Sequence, residues 1–227
     1  MLSKDHFVLS IFSNFILFGW LFFQNPLFFI AISFGVFIGC LLPDTDLSKS
    51  KVDHMKGIPG FFGMITKYIL NPLVAMIFEL LIKKPIDRSH RGVTHTIYGI
   101  LTYCLLIEGI SIPILIVFGG LEFIAGYSLF IFGLFFGGIL HLMEDSCTKT
   151  GILPFYPINE NIKYSGNIST YDLNEMRPKF YALFLLIVSV FLFFVQIYSG
   201  FPLGVYIFLS VISFVIVWKI IITMSKK

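Results

Sequence analysis

The sequence predicts an all-α, polytopic membrane protein, and three observations carry that prediction. Of the 227 residues, 57% are hydrophobic and 13% charged, where a soluble domain carries roughly 25% charged residues. The apolar residues are gathered into runs near membrane-crossing length, and the mean hydropathy is +0.90. Lys and Arg fall in alternate connecting stretches and leave the others empty, the pattern of a chain threaded back and forth through a bilayer. The net charge of +3 and pI near 8.7 are thereby explained by orientation in a membrane rather than by binding to nucleic acid.

Phe7 to Phe23 is the first expected span and Leu27 to Leu42 the second. Both are at the short end of the roughly 17 to 25 residues that cross about 30 Å of hydrocarbon, and flanking residues could extend them. Lys4 ahead of an uncharged run has the outline of a signal sequence, but no small-x-small cleavage site follows, so this helix is expected to be retained. Gln24-Asn25-Pro26 turns the chain, because proline cannot continue a helix interior. Pro43-Asp44-Thr45-Asp46 ends the second span in a polar loop that runs to about Gly57.

Ile58 to Ile82 is apolar but interrupted by Pro59-Gly60, Lys67, Asn71-Pro72 and Glu79. A continuous lipid-facing helix would have to bury those groups, so a broken, re-entrant or interfacial segment is expected. Gly92 to Ile107 then enters the membrane, with an outer turn somewhere between Glu108 and Glu122, and Phe123 to Leu140 returns. After a polar stretch from Ser146 to Lys179, Phe180 to Tyr198 and Phe201 to Ile222 form a hairpin about Gly200 and Pro202. The architecture is one membrane-embedded domain, 1–227, of six spans plus the broken segment.

The expected outer turns, 24–26, 108–122 and 199–202, contain no Lys or Arg, and nearly all sixteen basic residues lie at the termini or in 43–57, 83–91 and 144–179. Those loops and both termini are therefore expected on the cytoplasmic side of the membrane. Cys40, Cys104 and Cys147 form no CxxC pair and give no disulfide framework, as suits a reduced cytoplasmic face. Lys83 and Lys84 read as helix-end anchors, Phe155 and Tyr156 as interfacial anchors, and His54 as an exposed loop residue.

Four of the five histidines fall at the expected cytoplasmic helix ends, with a small set of carboxylates. His141 and Asp145 are four apart, about 40° on one helix, and can grip one cation. His90 and His95 are five apart, about 140° on a continuous helix. They converge if Ser89 or a neighbour caps the helix, His90 points from its mouth and His95 projects from the first turn or two. Arg91 then shares a face with His95. Asp44 and Asp46 close the second span, and His6 precedes the first. Mixed imidazole and carboxylate donors suit zinc, manganese or iron. Arg88 and Arg91 offer forks for an anionic group, and Asp46 or Glu144 is a candidate general base or supporting partner.

His6, Leu42-Pro43-Asp44-Thr45-Asp46, His90-Arg91-Gly92-Val93-Thr94-His95 and His141-Leu142-Met143-Glu144-Asp145, followed by Gly151 and Pro154 to Pro157, together resemble the YdjM-like membrane proteins over about residues 1–158. The resemblance implies an inner-membrane, LexA-binding, metal-dependent hydrolase, distantly similar to zinc-dependent phospholipase C and the P1-type nucleases, which cleave phosphoesters. It implies His6, Asp44, His90 or His95, His141 and Asp145 as metal ligands. A second HxxxE element and an N-terminal Trp ligand are missing, so one or two metals are expected, zinc first. The substrate expected is a phosphoester, with membrane lipid or a lipid-linked phosphate foremost. Glu108 and the broken segment keep a transporter or ion channel open as an alternative, and a scaffold with a structural metal is a third reading.

Overall fold

The computed structural model describes residues 3–46, 58–86, 92–118, 120–169, 172 and 174–226. Its helices are α1 (Ser3–Gln24), α2 (Pro26–Gly39), α3 (Ile58–Ile65), α4 (Asn71–Ile82), α5 (Ile97–Phe118), α6 (Gly120–Asp145), α7 (Arg177–Tyr198) and α8 (Leu203–Ser225). Among the described residues there is no strand beyond two isolated bridges, Thr148 with Ile168 and Ile152 with Tyr164. Five helices, α1, α5, α6, α7 and α8, are long and apolar enough to cross a membrane, and α2 is a shorter apolar helix. The all-helical class read from the sequence is the class found.

The element boundaries follow local chemistry. Asn25 caps α2, its side-chain oxygen accepting from the Phe28 N–H at 3.1 Å, with Pro26 in the first turn where its missing N–H is harmless. The second span, read as 27–42, stops earlier as helix, at Gly39, and turns through Cys40 to Leu42.

The third span differs more. Instead of Gly92 to Ile107, the helix is Ile97–Phe118, and it runs through Glu108 and Pro113. A proline inside a membrane helix is tolerated when neighbours take up the freed backbone groups. Pro113 frees the Gly109 carbonyl four residues before it, and in the turn ahead of that Ser111 Oγ and Tyr127 Oη both donate to the Ile107 carbonyl, at 2.7 and 3.3 Å. The interrupted segment is three pieces, α3, a π-helical turn at Thr66–Leu70, and α4 starting beside Pro72. The π-turn sits where Pro72 removes a backbone donor. Asn71 at the break accepts from the Tyr103 hydroxyl on α5, and Leu70, Val74, Ala75 and Phe78 bury against Val93 and Tyr103.

The tightest packing joins α2 to α6. Gly35 and Gly39 face α6 so closely that a Cβ on either would collide with the carbonyl oxygen of Phe130 or Leu134. Gly133 and Gly137 return the arrangement, meeting the carbonyls of Ile32 and Val36. Both pairs are G-x-x-x-G, the spacing that lets two membrane helices bring their backbones together. α1 lies across this pair, with Leu9 and Ile16 in a core shared with α6, α7 and α8.

The connection from α6 to α7 folds back on the helix ends. Gly151, at φ +66°, makes a turn that other residues rarely adopt. The Pro154 carbonyl accepts from the Ile97 N–H at 2.9 Å, and the Asn167 N–H donates to the Ser225 carbonyl at 2.7 Å. One end of the bundle is thus tied together by the loop.

Gly39→Leu or Gly137→Leu should separate α2 from α6 and destabilise the protein by about 1–3 kcal/mol or more. Gly126→Ala, where a Cβ meets nothing within 4 Å, should be neutral or stabilising by at most about 1 kcal/mol. Thermal unfolding in one detergent, followed by circular dichroism, checks the contrast.

Candidate metal centre

The first turn of α1 carries His6, and Ser10 follows one turn later on the same face. α2 ends at Gly39 and the chain passes through a short 3-10 turn, Pro43–Asp46, which holds Asp44. A second 3-10 turn, Val93–His95, leads into α5. The last turns of α6 present His141, Glu144 and Asp145.

These side chains meet. His6, His95, His141, Glu144 and Asp145 are each at most 2% exposed, and Asp44 is largely buried. His141 Nε2 lies 3.6 Å from Asp44 Oδ1 and 3.7 Å from Asp145 Oδ2. His95 Nε2 lies 3.7 Å from Asp44 Oδ1 and 4.0 Å from Asp145 Oδ2, and His6 Nε2 is 3.6 Å from Asp145 Oδ1. The His6 and His141 rings stack with centroids 4.2 Å apart, and His95 meets His141 edge-on at 5.4 Å.

The surrounding bonds fix which ring nitrogen faces inward. His141 Nδ1 is 2.8 Å from the Cys40 carbonyl oxygen. A carbonyl can only accept, so Nδ1 carries the proton and Nε2 presents a lone pair. His6 Nδ1 donates to Glu144 Oε2 at 2.6 Å, while Ser10 Oγ donates to Glu144 Oε1 at 3.0 Å. Glu144 therefore has both oxygens engaged and holds the His6 ring with Nε2 toward Asp145.

A divalent metal suits this donor set. His141 Nε2 is buried with no hydrogen-bond partner, and the oxygens nearest it belong to the carboxyl groups of Asp44 and Asp145. Lone pairs pointed at one another in a dry place are destabilising unless a cation lies between them. Two overlapping groups have metal-holding spacing, His6 with Asp44 and His141, and His95 with His141 and Asp145, each with donor atoms within 4.8 Å of one another. Burial alone would raise the Asp44 carboxyl, but in acid, where the facing His141, His95 and His6 become cations, their charge and a hydrogen bond from His95 outweigh it and hold the group well below the usual carboxylate range. Burial pushes the Cys147 thiol up, and its Sγ points to the Met143 carbonyl at 3.5 Å, so Cys147 is a structural thiol beside the site.

The sequence reading of His6, Asp44, His95, His141 and Asp145 as neighbours matches this geometry. His90, Arg88 and Arg91 lie outside the described residues, as does His54; Asp46 ends the 3-10 turn beside Asp44, and its side chain lies outside the description. The local structure around His95 differs from the helix expected there. Thr96, not Ser89, caps α5, its Oγ1 accepting from the Gly99 N–H at 2.9 Å. Gly99 is needed because a Cβ would strike the Val93 carbonyl, so His95 sits in a turn pressed onto the helix start. Ser10 and the Cys40 carbonyl escaped the sequence reading. Ser10 was findable at four residues from His6; a backbone carbonyl leaves no mark in a sequence.

The fold and site together define an all-helical membrane protein with a buried cluster of imidazoles and carboxylates at one end of its bundle. The chain belongs to the YdjM inner membrane protein family, whose model matches residues 1–224 and so extends through the final hairpin. No curated protein and no solved structure matches it.

Thr96→Ala should cost about 1 kcal/mol of stability through the lost cap, and Thr96→Ser should restore most of it. Denaturant unfolding of the two variants beside wild type measures this.

Proposed function

We propose that this protein is a membrane-bound, metal-dependent hydrolase acting on a phosphoester at the cytoplasmic leaflet, with a phospholipid or lipid-linked phosphate as the substrate class. The observation that carries the proposal is the buried convergence of His6, Asp44, His95, His141 and Asp145 from four separate stretches of chain. These five would hold the metal, zinc before manganese or iron, because the donors are nitrogen and oxygen and no thiolate joins them. When bound, such an ion supplies Lewis acidity and a water acidified to a pKa near about 7.

The chain's own residues do the remaining work. Glu144 and Ser10 keep the His6 ring in one orientation, and the Cys40 carbonyl does the same for His141. Arg91, four residues before His95 in sequence, is assigned to the anionic charge of the phosphoester, and Arg88 is assigned the same role. Asp46, two residues beyond Asp44, is assigned the proton released in attack. The cytoplasmic placement rests on charge: Lys4, Lys149, Lys163, Arg177 and Lys226 belong to the helix ends and the loop at the site's end of the bundle. A site there meets headgroups without extracting the lipid from the membrane.

Elemental analysis of detergent-purified protein, with bis-p-nitrophenyl phosphate and phospholipid as probe substrates, tests the proposal. Wild type should carry stoichiometric metal and turn over a phosphoester, and His141→Ala and Asp145→Ala should lose both while keeping their helicity. Retained metal in both variants, or a folded wild type that takes up neither zinc nor manganese, would overturn it. Glu144→Gln should weaken metal affinity by about 10–100-fold without removing a ligand, measured by competition with a fluorescent chelator.

A further inference from the structure

A cavity of about 240 Å³ lies between α1, α7 and α8, well away from the histidine cluster. Gly19 on its wall follows His6 by thirteen residues along α1, about 20 Å of helix rise, which puts the cavity in the opposite half of the bundle. Its walls are aromatic and aliphatic, with Phe12, Phe15, Ile16 and Phe193 prominent. Four of the five polar side chains among them, all but Ser210, donate to backbone carbonyls. Ser189 donates to Leu186, Gln196 to Trp20, Tyr206 to Gln196 and Trp20 to Leu17. A polar ligand or an ordered water, which needs 2–4 partners, finds little to bind.

The space is larger than the roughly 150 Å³ apolar cavity known to stay dry and accept benzene. Its rim is formed by Phe15, Val190 and Phe193, each 38–44% exposed on the apolar outer face of helices of membrane-crossing length. In a bilayer that face meets hydrocarbon. Gly19 keeps the space open, because a Cβ there would meet nothing within 4 Å.

We propose that this cavity is a binding site for one acyl chain of a membrane phospholipid, entering between α1 and α7. The site selects hydrocarbon by shape and by the scarcity of offered polar partners, and it is independent of the metal centre.

The full-length protein in nanodiscs of phosphatidylethanolamine and phosphatidylglycerol, with a trace of phospholipid carrying a diazirine at one acyl terminus, provides the test. After photolysis, peptide mass spectrometry should find label enriched on Phe12–Trp20 and Leu186–Gln196 relative to the lipid-facing Ile110–Val117 stretch of α5. Gly19→Phe should lose that enrichment with its helicity unchanged, and adding or chelating metal should leave it untouched. Equal labelling of α5 and the cavity walls in wild type would show ordinary boundary lipid only and overturn the proposal. Enrichment that survives in folded Gly19→Phe would overturn it too. Should that variant not fold, the wild-type comparison with α5 decides.

Discussion

The contact on which the site depends is the backbone-to-backbone approach of α2 and α6. Four glycines remove the side chains that would keep the two helices apart. The end of α2 thereby reaches the last turns of α6, and the Cys40 carbonyl arrives 2.8 Å from His141 Nδ1. That bond settles the tautomer of His141 and turns its Nε2 toward Asp44, which follows Cys40 by four residues, and toward Asp145. Packing between apolar segments, with little chemistry of its own, thus sets the orientation of the most chemically informative residue.

Burying so many ionisable groups in a helix bundle carries a large desolvation penalty unless each is paired. The cluster meets that requirement in two shells. Glu144 is matched by His6 and Ser10, while the inward-facing nitrogens and the oxygens of Asp44 and Asp145 lie close together. Glu144 thus finds its partners within the protein, and the donors around it have the spacing that could hold a divalent cation. The loop after α6 and the turn before α5 close over this end, joined by the bond from Ile97 to Pro154.

Much of this was legible in the sequence, and the exceptions are instructive. His141 and Asp145 could be placed together because a helix repeats every 3.6 residues, and the α6 helix does run through both. His6 and Asp44 followed from their positions at helix ends on one side. The turn holding His95 was not legible, since the cap was sought at Ser89 or a neighbour and Thr96 was hidden inside an apolar run. Glu108 and Pro113 read as stops, yet α5 passes through both. The glycine contact left a visible trace in the repeated G-x-x-x-G of two segments, but nothing local says which segment pairs with which.

X-ray absorption at the metal edge of the metal-loaded protein tests the central claim most directly, because it reads the ligands themselves. The account predicts a shell of nitrogen and oxygen only, at about 2.0–2.2 Å, with the multiple-scattering signature of several imidazoles. A sulfur shell near about 2.3 Å, or a shell without imidazole scattering, would contradict it.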